Sequence, residues 1–164
     1  CSPSVKLLRS RWKKSIVKLP LTVSKNITKV ANDMYKGLCD YIMATIAAKD
    51  RIDHDELKVE LGNAIAKRYN MTVEYEYKIS DLDGTGHSRG GRIDMVFYGK
   101  KGKTLAIELD RSYRWKSIEK LAKCGFRHKL WICFARQYKP EKLAILAESG
   151  IPICTRFVRL NGVD

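Results

Sequence analysis

Two short strand-like segments carry acids in places where side chains could do chemistry. In Arg92-Ile93-Asp94-Met95-Val96-Phe97, strand alternation sends Ile93, Met95 and Phe97 to one face and Asp94 to the other, with Val96 and Tyr98. Fourteen residues after Asp94 comes Glu108, in Ala106-Ile107-Glu108-Leu109-Asp110. There Leu105, Ile107 and Leu109 would face a core, while Glu108 and Asp110 share the opposite face. Neighbouring strands would gather the three carboxylates. Close and uncompensated, they would raise one another's pKa and cost stability, so the cluster calls for a cation, most simply Mg²⁺, which prefers hard oxygen ligands. The plain alternative is a solvated sheet face on which these acids pair with Arg92, Arg111 and Arg114.

The elements that would position these acids are legible from periodicity. Met34, Leu38, Ile42 and Ile46 recur every four residues, which predicts a long amphipathic helix over Ile27 to Lys49. A second helix is expected from Asp53 or Asp55 through Leu57, Leu61 and Ile65 to Tyr69, stopping at Asn70. From Thr72 to Ile79 the period becomes two, with Val73, Tyr75, Tyr77 and Ile79 on a single face. A Gly/Asp/Ser-rich loop over Ser80 to Gly91 leads into a strand over Arg92 to Tyr98. The turn Gly99-Lys100-Lys101-Gly102 and a third strand, Thr104 to Leu109, follow. Helical spacing returns over Tyr113 to Lys123, with Gly125 as terminator. A buried-type strand over Leu130 to Ala135, a helix opened by Pro140 and closed by Gly150, and a strand over Ile153 to Val158 complete the order. The expected fold class is α/β, a mixed central sheet flanked by helices in a single domain over residues 26–164. An N-terminal basic arm, residues 1–25, and an extra helix precede its core.

The run of helix, strand, Gly-rich loop, R-I-D strand, hairpin, I-E-x strand and helix resembles the PD-(D/E)xK nuclease superfamily, the restriction-endonuclease-like fold. The resemblance covers about Asp55 to Ala135, roughly half the chain, and rests on a short, degenerate motif. It implies a metal-dependent DNA endonuclease of resolvase, restriction or mobile-element type. Asp94 would stand for the motif's Asp and Glu108 for its Glu, with Glu60 as the helix acid and Glu56 as its alternative one turn earlier. Asp94, Glu108 and the backbone around Glu108 would hold Mg²⁺, with Mn²⁺ as a substitute. Where the family has Lys, this chain has Asp110. Three outcomes are open: Asp110 is a further metal ligand, or a migrated cation, Lys116 before Arg111 or Lys78, takes the role, or the site is inactive. The alternative function is a non-catalytic nucleic-acid-binding module that keeps the nuclease fold.

Charge points to the same partner. The 164 residues carry 32 Lys+Arg and 18 Asp+Glu, a net charge of +14. Eight of the basic residues, Lys13 and Lys14 among them, precede the first acid at Asp33. Such an arm could neutralise phosphates, or be an ordinary solvated terminus. Arg89 in the Gly-rich loop, Arg92, Arg111 and Arg114 are the other candidates for phosphate contact. DNA is therefore the expected partner, and a homodimer or partner subunit is compatible with it. The longest apolar-like stretch, Ile42 to Ala48, falls far short of the roughly 20 residues a membrane span needs. Five widely spaced cysteines without a CxxC pair suit neither a disulfide framework nor a zinc site and indicate a reducing, intracellular compartment, cytoplasmic, nucleoid or nuclear. The chain opens at Cys1 and reads as a processed or trimmed piece, and Ser2 to Leu8 lacks the apolar core of a signal peptide.

Overall fold

The structure, a computed structural model, describes residues 37–79, 91–135, 137 and 139–155. The expectations for the basic arm, with Lys13 and Lys14, and for the Gly-rich loop, with Arg89, lie outside the described residues. The described part of the first helix, α1, spans 37–47. It is followed by α2 (His54–Arg68), β1 (Thr72–Lys78), β2 (Arg92–Gly99), β3 (Gly102–Asp110), α3 (Trp115–Lys123), β4 (His128–Cys133), α4 (Pro140–Ser149) and β5 (Ile153–Thr155). The strands form one mixed sheet in the order β1-β2-β3-β4-β5. β1–β2 and β2–β3 pair antiparallel, β3–β4 and β4–β5 parallel, so β2 alone runs against the other four.

Local chemistry explains the element ends. Asp53 caps α2 by accepting a hydrogen bond from Glu56 N at 3.0 Å, and Asn70, in the left-handed region at φ 53°, ends the path out of that helix. Gly125, after α3, has φ 70°, a conformation that a side chain would strain. Leu57, Leu61 and Ile65 form the buried stripe of α2. Gly62 beside them leaves room for the Tyr75 ring, whose hydroxyl donates to Asn63 Oδ1 at 2.7 Å.

The sheet separates two apolar layers. On one side Leu38, Ile42 and Ile46 of α1 and the α2 stripe cover Met95, Phe97, Ile107, Leu109 and Ile132. On the other, Ile118 and Leu121 of α3 and Leu143 and Leu146 of α4 cover Val96, Ala106, Trp131 and Ile153. Each fully buried aliphatic side chain stabilises the fold by about 1.5–3 kcal/mol, so this double burial is what holds three layers together.

The structure departs from simple alternation at two places: a bulge shifts the β2–β3 register between Tyr98 and Phe97, and the faces reverse within β1 and β2. Val73 and Tyr75 join the α1/α2 layer, but Tyr77 and Ile79 join the α3/α4 layer. Across the ladder the same reversal separates Met95 and Phe97 from Ile93, which packs with Val96. The reversal falls between the pairs Tyr75↔Met95 and Tyr77↔Ile93, at Glu76 and Asp94. Glu76 has φ 55°, a left-handed backbone that costs a non-glycine residue about 1–2 kcal/mol. The expected single face for Val73, Tyr75, Tyr77 and Ile79, and the expected grouping of Ile93 with Met95, are therefore corrected. A period of two holds only while the backbone stays extended.

Candidate active site

Asp94 and Glu108 meet where β2 and β3 part. Their ladder runs inward from the Gly99↔Gly102 turn to Met95↔Ile107 and ends there, while β3 continues beside β4 as far as Asp110↔Cys133. In this fork the two carboxylates replace the missing ladder bonds. Leu109 N donates to Asp94 Oδ2 at 2.8 Å, and Asp94 N donates to Glu108 Oε1 at 2.9 Å. The remaining backbone group, Leu109 O, accepts from His54 Nε2 at 2.7 Å. A strand edge that would otherwise leave buried polar groups unsatisfied is thus closed by side chains from β2, β3 and α2.

Each carboxylate looks toward a different helix. Glu108, whose side chain is only 2% exposed, has Lys120 Nζ of α3 at 2.8 Å from Oε2. The same ammonium donates to Arg92 O at 2.8 Å, which ties α3 to β2. Asp94, 13% exposed, lies 3.7 Å from His54 Nε2 through Oδ2. Lys58, one turn along α2 from His54, is buried and pairs with Glu76 Oε1 at 2.5 Å. Burial, reinforced by the negative charge of Asp94, pushes Glu108 up to about 7 in spite of Lys120. The Asp94 carboxylate 3.7 Å away outweighs burial at His54 and pushes it up to about 9, so the imidazole is a cation at neutral pH.

The other expected residues fall in different places. Asp110 does share a face with Glu108, but its Oδ2 accepts from Ser117 Oγ at 2.5 Å and Trp131 Nε1 at 2.7 Å inside the α3 layer. Burial raises its pKa, against the lowering effect of those two donors. Asp110 therefore anchors α3 and β4 to β3 through Oδ2, while its charge still acts on Glu108 and Asp94. Glu60 stands on the flank of α2, half exposed, in an ion pair with Lys49 at 2.6 Å, and Glu56 is exposed. Neither reaches the fork, because the sheet-facing stripe of α2 holds residues 54, 58, 61 and 65. Lys116 is exposed, and the cation that reaches Glu108 is Lys120, one turn further along α3. Arg111 donates to Ile52 O at 2.8 Å, bracing the entry to α2, while Arg92 and Arg114 are exposed. Among the described residues the ion-pair partners of Asp94 and Glu108 are His54 and Lys120, not Arg92, Arg111 or Arg114.

His54 and Lys120 were the residues that sequence reasoning passed over. His54 carries a legible signal: with Lys58 it interrupts the apolar stripe of α2 at helical spacing. Lys120 differs from Lys116 by one turn on the same helix face, and only the docking of α3 separates them.

Among the described residues no group of three or more His, Cys, Asp or Glu is arranged to hold a metal ion. The donor set still suits Mg²⁺, which is commonly held by one or two carboxylates with water and substrate phosphate completing its shell. Among the described residues Asp94 Oδ1 takes no hydrogen bond, and Glu108, raised first by burial and then by the charge of Asp94, would be favoured as a carboxylate by a further cation. No helix among the described residues is long and apolar enough to cross a membrane. Compared with family models, curated proteins and solved structures, the chain matches none.

Proposed function

We propose that the chain is a Mg²⁺-dependent phosphodiester hydrolase acting on DNA, an endonuclease of the restriction-endonuclease-like kind. The observation that carries the reading is the Asp94–Glu108 pair in the β2–β3 fork, with Lys120 Nζ 2.8 Å from Glu108. The ammonium stands where it could both compensate the buried acid and meet charge developing on a phosphate. The element order α2-β1-β2-β3-α3-β4 is also the order on which the resemblance to PD-(D/E)xK nucleases rests.

In this reading Lys120 takes the part of the motif's lysine, which Asp110 replaces in the sequence. Its ammonium fixes the Glu108 carboxylate and sets a permanent positive charge where negative charge develops on the phosphate. Asp94 and Glu108 would hold Mg²⁺, which when bound supplies Lewis-acid stabilisation of the transition state. His54 satisfies Leu109 O where the β2–β3 ladder ends and sets a cation 3.7 Å from Asp94. Net charge of +14 favours a polyanionic substrate and speeds its encounter.

A second reading, a non-catalytic nucleic-acid-binding module, is favoured by one observation. Three of the four oxygens of the pair already accept protein hydrogen bonds or an ion pair. One experiment separates the two: incubating the full chain with Mg²⁺ and labelled duplex, branched and single-stranded DNA. The hydrolase reading expects metal-dependent cleavage that Asp94→Ala or Glu108→Ala abolishes, with DNA affinity in EDTA kept within a few-fold. Cleavage at the parental rate by either variant would remove the assignment. DNA binding without cleavage by the wild type would leave the binding module.

A further inference from the structure

Lys78 and Arg92 stand directly opposite each other across the antiparallel β1–β2 ladder, and both are exposed. Like charges at facing positions destabilise such a pair. Among the described residues neither has an ion-pair partner, and the acids of β1 are engaged elsewhere: Glu76 with Lys58, and Glu74 with the Tyr98 hydroxyl. The pair is also held in place. Ile79 N donates to Gly91 O at 2.8 Å just beyond it, and Arg92 O accepts from Lys120, the cation that grips Glu108. Arg92 lies two residues along β2 from Asp94, about 6.6 Å at strand rise.

We propose that Lys78 and Arg92 form a subsite for the phosphodiester backbone of the nucleic-acid strand that enters the Asp94–Glu108 fork; the identity of that strand rests on the hydrolase reading above. A phosphate between them turns the built-in repulsion into two attractions. The guanidinium supplies a planar fork for phosphate oxygens and the ammonium a point charge. The link through Lys120 keeps this subsite in register with the carboxylates.

The test is the salt dependence of binding of a fluorescent DNA duplex to the full chain in EDTA, where no hydrolysis is required. Each neutralised phosphate contributes about 0.9 to the slope of log affinity against log salt. Lys78→Ala and Arg92→Ala should each lower the slope by about 0.9 without lowering the melting temperature of the protein. Lys67→Ala, which removes an exposed charge from the last turn of α2, should leave the slope unchanged. Unchanged slopes for Lys78→Ala and Arg92→Ala, or an equal drop for Lys67→Ala, would overturn the subsite. Reduced slopes in a protein that never cleaves would keep the subsite and remove the hydrolase reading, and a cleaving enzyme with unchanged slopes would do the reverse. A wild type that binds neither duplex, branched nor single-stranded DNA overturns both.

Discussion

Replacing Lys120 by Met keeps most of the side-chain stem and removes the charge. Glu108, 2% exposed, then loses the ammonium 2.8 Å from its Oε2. It has two ways to respond. Remaining ionised costs about 3–5 kcal/mol, the usual consequence of removing one partner of a buried pair. Taking up a proton costs less. With the carboxyl at about 7 in the wild type, ionisation at pH 8 is favoured over the protonated form by only about 1 kcal/mol. Protonation therefore wins, and the variant should lose about 1 kcal/mol at pH 8, plus about 1 kcal/mol for the hydrogen bond to Arg92 O. At pH 6, where Glu108 is already largely protonated, only the second loss remains. Urea unfolding in EDTA at the two pH values measures this difference. Single-turnover cleavage in Mg²⁺ measures the other consequence, a rate about 10² to 10⁴ lower, the range for a positioned acid-base or charge-stabilising group. Lys116→Met should cleave as the wild type does, because that side chain is exposed. A stability loss of equal size at pH 6 and 8, or a parental rate from Lys120→Met beside a slow Lys116→Met, would refute the assignment of the ammonium to Glu108.

The metal-free protein should lose stability as pH rises. Glu108 is raised from 4.5 to about 7, so its contribution is complete below pH 4.5 and disappears as pH climbs through 7, a change of up to about 3 kcal/mol. His54, raised from 6.5 to about 9, has the same sign in the higher window: its contribution is complete below 6.5 and is lost through 9. Thermal melts in EDTA should show Glu108→Gln flattening the lower window and leaving the upper one, and an undiminished fall between pH 4.5 and 7 in that variant would contradict the origin given for it. Asp110→Asn should cost about 1–3 kcal/mol, since Ser117 and Trp131 both donate to the buried carboxylate. It should leave the Mg²⁺ dependence of cleavage alone; a raised Mg²⁺ requirement would make Asp110 a metal ligand after all.

Much of the architecture is local information. Leu57, Leu61 and Ile65 specify a helix by spacing, Asp53 and Asn70 mark its ends, and the residues from Thr72 to Lys78 alternate as strands do. The turn at Gly99 to Gly102 starts the β2–β3 ladder, but counting from it would set Asp94 opposite Ile107; the bulge between Tyr98 and Phe97 shifts the register by one residue and brings Asp94 to Glu108. Their acidity inside apolar runs is also plain in the chain itself.

What counting could not supply depends on where the regular pattern stops. The reversal of faces at Glu76 and Asp94 arises from one left-handed residue, and glutamate gives no warning of that conformation. The ending of the β2–β3 ladder at Met95↔Ile107 is a tertiary event: β3 follows β4, β2 follows β1, and the gap is filled by Asp94, Glu108 and His54. The resemblance puts Glu60 at the site, but α2 meets the sheet through Leu57, Leu61 and Ile65, which turns Glu60 aside and His54 and Lys58 inward. The choice between Lys116 and Lys120 was open for the same reason. Both lie on one face of α3, and the depth at which Trp115, Ile118 and Leu121 seat that helix decides which ammonium meets a buried carboxylate. Spacing along the chain decides which residues can share a face; packing of one layer against another decides which of them reach the same point in space.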